Sequence, residues 1–72
     1  MYFKRIRDLR EDHDLTQEDL ARTLGCHVGV YQRYEAGTRD IPIWALIRLA
    51  ELYDVTTDYI LGVSDNKRHF RD

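Results

Sequence analysis

Residues 16–37 read TQEDLARTLGCHVGVYQRYEAG, and the fold turns on how this stretch is interpreted. It parses as two short helices joined by a tight turn. Thr16 opens the first, because its hydroxyl can accept from a free backbone N–H while Asp19, three residues on, answers with its carboxylate as in a capping box. Gly25 closes that helix where a left-handed residue is wanted. Val30, Tyr31 and Tyr34 then recur at a spacing of three to four, which puts Tyr31 and Tyr34 on nearly one helical face before Gly37 ends the second helix. Helices this short do not hold in water alone, so the flanking sequence must supply a core.

The flanks have the pattern to do so. Residues 2–13, YFKRIRDLREDH, place Phe3, Ile6 and Leu9 on one side of an amphipathic first helix, with Arg7 and Arg10 beside the stripe. Leu15 is apolar at the position before the Thr16 cap, as in a hydrophobic staple. Leu20, Ala21 and Leu24 form the buried face of the next helix, and a small residue at 21 lets a neighbour approach closely. Residues 38–41 read as a polar loop, and Pro42 sets φ for a helix running to about Tyr53 with Leu46, Leu49, Ala50 and Tyr53 inward. Thr56 caps a last short helix that buries Ile60 and Leu61 and stops at Gly62. Trp44, Tyr53, Tyr59 and Val63 fall mostly to the core by spacing, and any left outside would form an exposed patch for a second subunit. The expectation is one all-α domain of five helices over residues 1–63, with 64–72 a mobile tail lacking periodicity.

Composition narrows the function. Seventy-two residues at 43% hydrophobic and 33% charged suit a single small core and leave no room for a catalytic cleft of ordinary size. No nucleophile, general base and pocket emerge together, so an enzyme is not expected, and neither is a cofactor. The longest apolar run, residues 41–47, is far short of the ~18 that a membrane span requires, and no signal pattern opens the chain; with the single cysteine, this points to the cytoplasm. Cys26 and His27 are adjacent, but His13 and His69 are scattered without paired-ligand spacing, so no metal site is expected and Cys26 reads as a small buried thiol. The formal net charge of −2 is not the footprint of bulk nucleic-acid binding. A local patch would have to carry it: Arg22, Arg33 and Arg39, set against Glu35, supply one.

The runs LTQEDLARTLG, RYEAGTR and IPIWALIRLAELYDVTTDYILG together resemble the phage-repressor and Cro-like helix-turn-helix family, also called the xenobiotic-response-element family, from about Ile6 to Gly62. Gln17, Ala21, Gly25, Glu35 and Gly37 stand at matching intervals. The resemblance implies a compact five-helix lambda-repressor-like DNA-binding domain whose third helix, about residues 28–36, lies in the major groove while the second crosses the backbone. It implies base-facing positions at Val28, Gly29, Gln32 and Arg33, with His27 at the entrance. Arg33 suits guanine O6 and N7, Gln32 suits adenine N6 and N7, and Val28 suits a thymine methyl. Gln17 matches the residue whose amide meets a phosphate, and Thr38 and Arg39 would clamp the other side, although Arg22 and Arg39 also make sense as solvated surface charges. Arg10 and Glu35 match a structural ion pair that fixes the tilt of the reading helix.

Two residues depart from the family pattern. His27 stands where Ser or Thr usually caps the third helix and caps less well. Tyr31 stands where Val or Ile is common, so its hydroxyl must find a partner or lean outward toward a phosphate. The leading expectation is a sequence-specific transcriptional regulator binding double-stranded DNA as a homodimer, with half-sites about 34 Å apart. The alternative is a protein-interaction module on the same fold, such as an antitoxin or an adaptor with a protein partner, which the acidic total favours slightly.

Overall fold

The computed structural model describes residues 1–68, and among these five helices form: α1 (Lys4–Asp12), α2 (Gln17–Leu24), α3 (Val28–Ala36), α4 (Ile43–Tyr53) and α5 (Thr57–Leu61). This is the all-α, five-helix architecture that the sequence predicts. The first helix is shorter than the expected 2–13. Phe3 sits extended at its N-cap (φ −118°, ψ 102°) and packs against the core, and His13 leaves the helix with Nδ1 2.8 Å from the Leu9 carbonyl.

Each helix contributes at least one almost fully buried side chain: Ile6, Leu20, Tyr31, Leu49 and Ile60 are each 0–1% exposed. α1 packs on α3 and α5, α4 on α5, and α2 on α3, where the buried Ala21 lets the two axes approach. Leu15, half-buried, packs against this core from the position before the α2 cap.

Three expectations about aromatic and apolar residues need correction. Trp44 and Val63 are not core: they are 52% and 73% exposed. On α4 the inward face is Ala45, Leu46, Leu49, Ala50 and Tyr53, and Trp44 falls to the flank with Ile43 and Ile47, while Val63 lies past the Gly62 stop. Tyr31 does not lean outward. Its ring is wholly buried and its hydroxyl has no hydrogen-bond partner among the described residues, as is true of the Tyr53 hydroxyl. Burial and the neighbouring Glu35 carboxylate push the Tyr31 phenol well above its ordinary range. An unsatisfied buried hydroxyl is a net cost, so Tyr31→Phe is expected to raise stability by about 1 kcal/mol in chemical denaturation. A loss of that size would mean that the hydroxyl donates to Glu35.

Residues 64–68 were expected to belong to a mobile tail, yet they are tied to the body. Arg5, lying over the Tyr59 ring at 4.1 Å, donates to the carbonyls of Tyr59 (2.9 Å) and Ser64 (2.7 Å) and to the Asp65 carboxylate (2.7 Å). The Thr56 N–H donates to the Lys67 carbonyl at 2.7 Å. Sequence periodicity cannot register such bonds, because they depend on one arginine and on backbone groups. The rest of the expected tail, residues 69–72, and with it His69, lies outside the described residues.

Candidate nucleic-acid interface

The two-helix unit is built by local chemistry. Thr16 Oγ1 accepts from the Asp19 N–H at 3.0 Å while Asp19 accepts from the Thr16 N–H at 2.9 Å, a complete capping box that also holds the Asp19 carboxyl below its ordinary range. Gly25 ends α2 in the left-handed region (φ +69°), which turns the chain through Cys26 into α3. Cys26, expected as a small buried thiol, is half-buried. His27 occupies the N-cap of α3 with extended backbone but no side-chain capping bond, as its residue type implied.

α3 presents Gly29, Gln32 and Arg33 on one face, since positions i, i+3 and i+4 are neighbours on a helix surface. Gln32, Arg33, Thr38, Arg39 and His27 are exposed, Gly29 is partly so, and Val28 divides its side chain between the core and the outside. A Cβ at Gly29 would meet nothing within 4 Å, and its φ is ordinary for a helix. Gly29→Ala is therefore expected to raise stability by about 0.5–1 kcal/mol through helix propensity alone, read as a higher thermal midpoint. A lower midpoint would show that the site is not open.

Beneath this face runs a chain of hydrogen bonds that spacing did not reveal. Gln32 Nε2 donates to Gln17 Oε1 (3.1 Å), and Gln17 Nε2 donates to Glu35 Oε1 (3.3 Å). Arg10 grips Glu35 with Nε and with Nη2 (3.3 Å), and its Nη1 donates to the Leu15 carbonyl at 2.8 Å. The pair is well sheltered, with side chains 14% and 5% exposed. Burial works against the Glu35 charge, but the hydrogen bonds from Arg10 and Gln17 outweigh it and hold the carboxyl below its ordinary range, while the same contact raises the Arg10 guanidinium. Each glutamine amide spends one N–H in this chain and keeps a second. Gln32 thus retains one donor and one acceptor, held in a fixed orientation.

The charge around the two helices is not the simple positive excess expected. Glu18 and Asp19 also stand in this stretch, so the three arginines Arg22, Arg33 and Arg39 face three acids and the count is balanced. What differs is engagement. Glu35 is matched by Arg10, and Asp19 is shared between its cap and Arg22 at 3.4 Å, which leaves Arg33 and Arg39, against Glu18 alone among the three acids, with no ion pair among the described residues. Among those residues, no three His, Cys, Asp or Glu side chains come together as a metal site, and no helix is long and apolar enough to cross a membrane.

The profile of the helix-turn-helix family matches residues 6–60. The chain belongs to this family. The helix-turn-helix here is 47% identical over 66 residues to an uncharacterized HTH-type transcriptional regulator, YobD, of Bacillus subtilis, covering 92% of this chain and 59% of that protein. It is 38% identical over 65 residues to the cryptic phage CTXphi transcriptional repressor RstR of Vibrio cholerae, covering 90% of this chain and 59% of that one. A transcriptional regulator from Listeria innocua, known from its crystal structure, has the same fold: TM-score 0.82 at 22% identity, over all of this chain and 65% of that one. The chain thus spans about three-fifths of the length of the curated relatives it matches.

Proposed function

We propose that this helix-turn-helix domain is the DNA-reading part of a transcriptional regulator acting in the cytoplasm, with α3 in the major groove. The observation that carries the reading is the outer face of α3. Arg33 projects there without an ion-pair partner among the described residues, beside a Gln32 amide fixed by Gln17, and both lie on a helix braced by a sheltered ion pair. Arg33 would donate to guanine and Gln32 would pair with adenine. Val28, half-turned to the core, would offer part of a methyl contact, and Gly29 would let the backbone come close. Gln17 and the α2 N-terminus would meet phosphate on one side of α3, with His27 near the groove entrance and Thr38 and Arg39 on the other side.

A homodimer would place two such helices about 34 Å apart on one face of the duplex and supply the specificity that a single short face lacks. The relatives described as a regulator and a repressor support this reading. Selection of bound duplexes from a random pool tests it. An enriched motif containing guanine and adenine contacts, repeated at one-turn spacing, is the expected product. Recovery of no enriched sequence would sink it.

A further inference from the structure

Between α1, the start of α2 and the second half of α3 lies a cleft of about 340 Å³ whose walls include Tyr2, Arg7, Arg10, Gln17, Gln32 and Glu35. Its floor is already neutral, because Arg10 and Glu35 satisfy one another and Gln17 binds the same carboxylate. The charge left over is Arg7. Its one partner among the described residues is Glu11, one turn along α1 at 3.1 Å, in a pair whose side chains are 59% and 50% exposed. Such a pair contributes little and exchanges readily for a better anion. Tyr2 extends this rim toward the end of α3. The chain there crosses Gly37 so closely that a Cβ on that residue would lie 2.7 Å from the Tyr2 Cα, and the Met1 amine donates to the Gly37 carbonyl (3.1 Å) and to Asp40 (2.8 Å). Arg7 and Tyr2 therefore bridge the gap between Gln17 and the Thr38–Arg39 turn.

We infer that this cleft seats a DNA backbone phosphate, with Arg7 as its charged donor and Tyr2 at its rim, so that one continuous phosphate track runs from the start of α2 to the end of α3. The inference rests on the DNA reading above. A monoanionic phosphodiester entering the cleft would meet the spare N–H of Gln17 and the guanidinium of Arg7, which exchanges Glu11 for it. Free inorganic phosphate offers the same chemistry, and the test separates the two sources.

A duplex recovered from the random pool is titrated with wild type, Arg7→Ala, Arg7→Lys and Tyr2→Phe across a salt series. Arg7→Ala should weaken binding to all duplexes alike, by roughly eightfold at 0.1 M salt, and reduce the salt slope by about 0.9, the signature of one lost phosphate contact. Arg7→Lys should restore most of the slope, and Tyr2→Phe should have a smaller effect. Because the Arg7–Glu11 pair is exposed, the thermal midpoint of Arg7→Ala should stay within about 3 °C of wild type, which separates loss of contact from loss of fold. If Arg39→Ala weakens binding and Arg7→Ala leaves affinity and slope unchanged, the cleft inference is overturned and the DNA reading stands. If wild type binds no duplex even at low salt, the DNA reading itself fails and takes the inference with it. Protection of the cleft by millimolar inorganic phosphate, without any effect of Arg7→Ala on duplex binding, would also overturn it.

Discussion

Arg10→Met is expected to cost this domain about 3–5 kcal/mol, because it keeps the packing of the side-chain stem but leaves the Glu35 carboxylate buried without its cation. A folded chain of this size has a total stability of only about 4–11 kcal/mol, so the substitution removes a large share of it and lowers the denaturation midpoint well below that of wild type. The loss has two parts. Arg10 also donates to the Leu15 carbonyl at 2.8 Å, at the junction where α1 hands over to α2. Glu35 is in turn the anchor of Gln17 and, through it, of Gln32. The double variant Arg10→Met/Glu35→Leu removes both charges and is expected to recover much of the loss, as replacement of a sheltered pair by apolar side chains commonly does. Denaturant titrations of the four members of this cycle measure the coupling. A coupling near zero would remove the pair from the scaffold. Glu35 also gives the domain an acid limit. Its folded-state carboxyl lies below the ordinary value of 4.5, so its contribution is complete above about pH 4.5 and disappears as pH falls through the lower folded-state value. Wild type should therefore lose stability on acidification below that point. Arg10→Met, lacking the hydrogen bonds that depress the carboxyl, should show less of that acid dependence.

Arg33→Ala should abolish preference at one base pair and cost about 1–3 kcal/mol of discrimination against other bases there, equivalent to roughly 5- to 150-fold in relative affinity. Arg33 makes no ion pair or side-chain hydrogen bond among the described residues, so stability should change by less than about 0.5 kcal/mol. Arg39→Ala makes the contrast, since a phosphate contact carries no sequence information and its loss should weaken all duplexes alike. Competition assays with duplexes altered one base pair at a time distinguish the two. A uniform loss for Arg33→Ala together with altered preference for Arg39→Ala would reverse the assignments.

Periodicity and caps made the fold legible. The Thr16–Asp19 box, the left-handed glycines at 25, 37 and 62, and the spacing of Ile6, Leu20, Leu49 and Ile60 are local signals, and each does in three dimensions what its type implies. Trp44 was placed by spacing and misled, because in a run as apolar as residues 41–47 spacing does not choose between the face of a helix and its flank. The fastening of residues 64–68 by Arg5 was hidden for another reason: it joins positions about sixty apart through backbone carbonyls. The site was partly legible. Arg10 and Glu35 were visible as a matched pair through family resemblance, and they meet in the structure. The glutamine chain above them was not, because hydrogen-bond geometry between Gln17 and Gln32 depends on how α2 and α3 cross. The capping of Asp19 was read from the sequence, but its contact with Arg22 was not, and that contact changes a simple charge count into a distinction between spent and unspent charges.

The measurement that bears most directly on α3 as a DNA reader is fluorescence anisotropy of labelled duplex, titrated with the whole chain from 50 to 300 mM salt. Binding at low salt is predicted, with log affinity falling linearly against log salt and a slope that becomes shallower by about 0.9 when Arg39 is replaced by alanine. No binding at 50 mM salt, or an affinity indifferent to salt, would contradict the account.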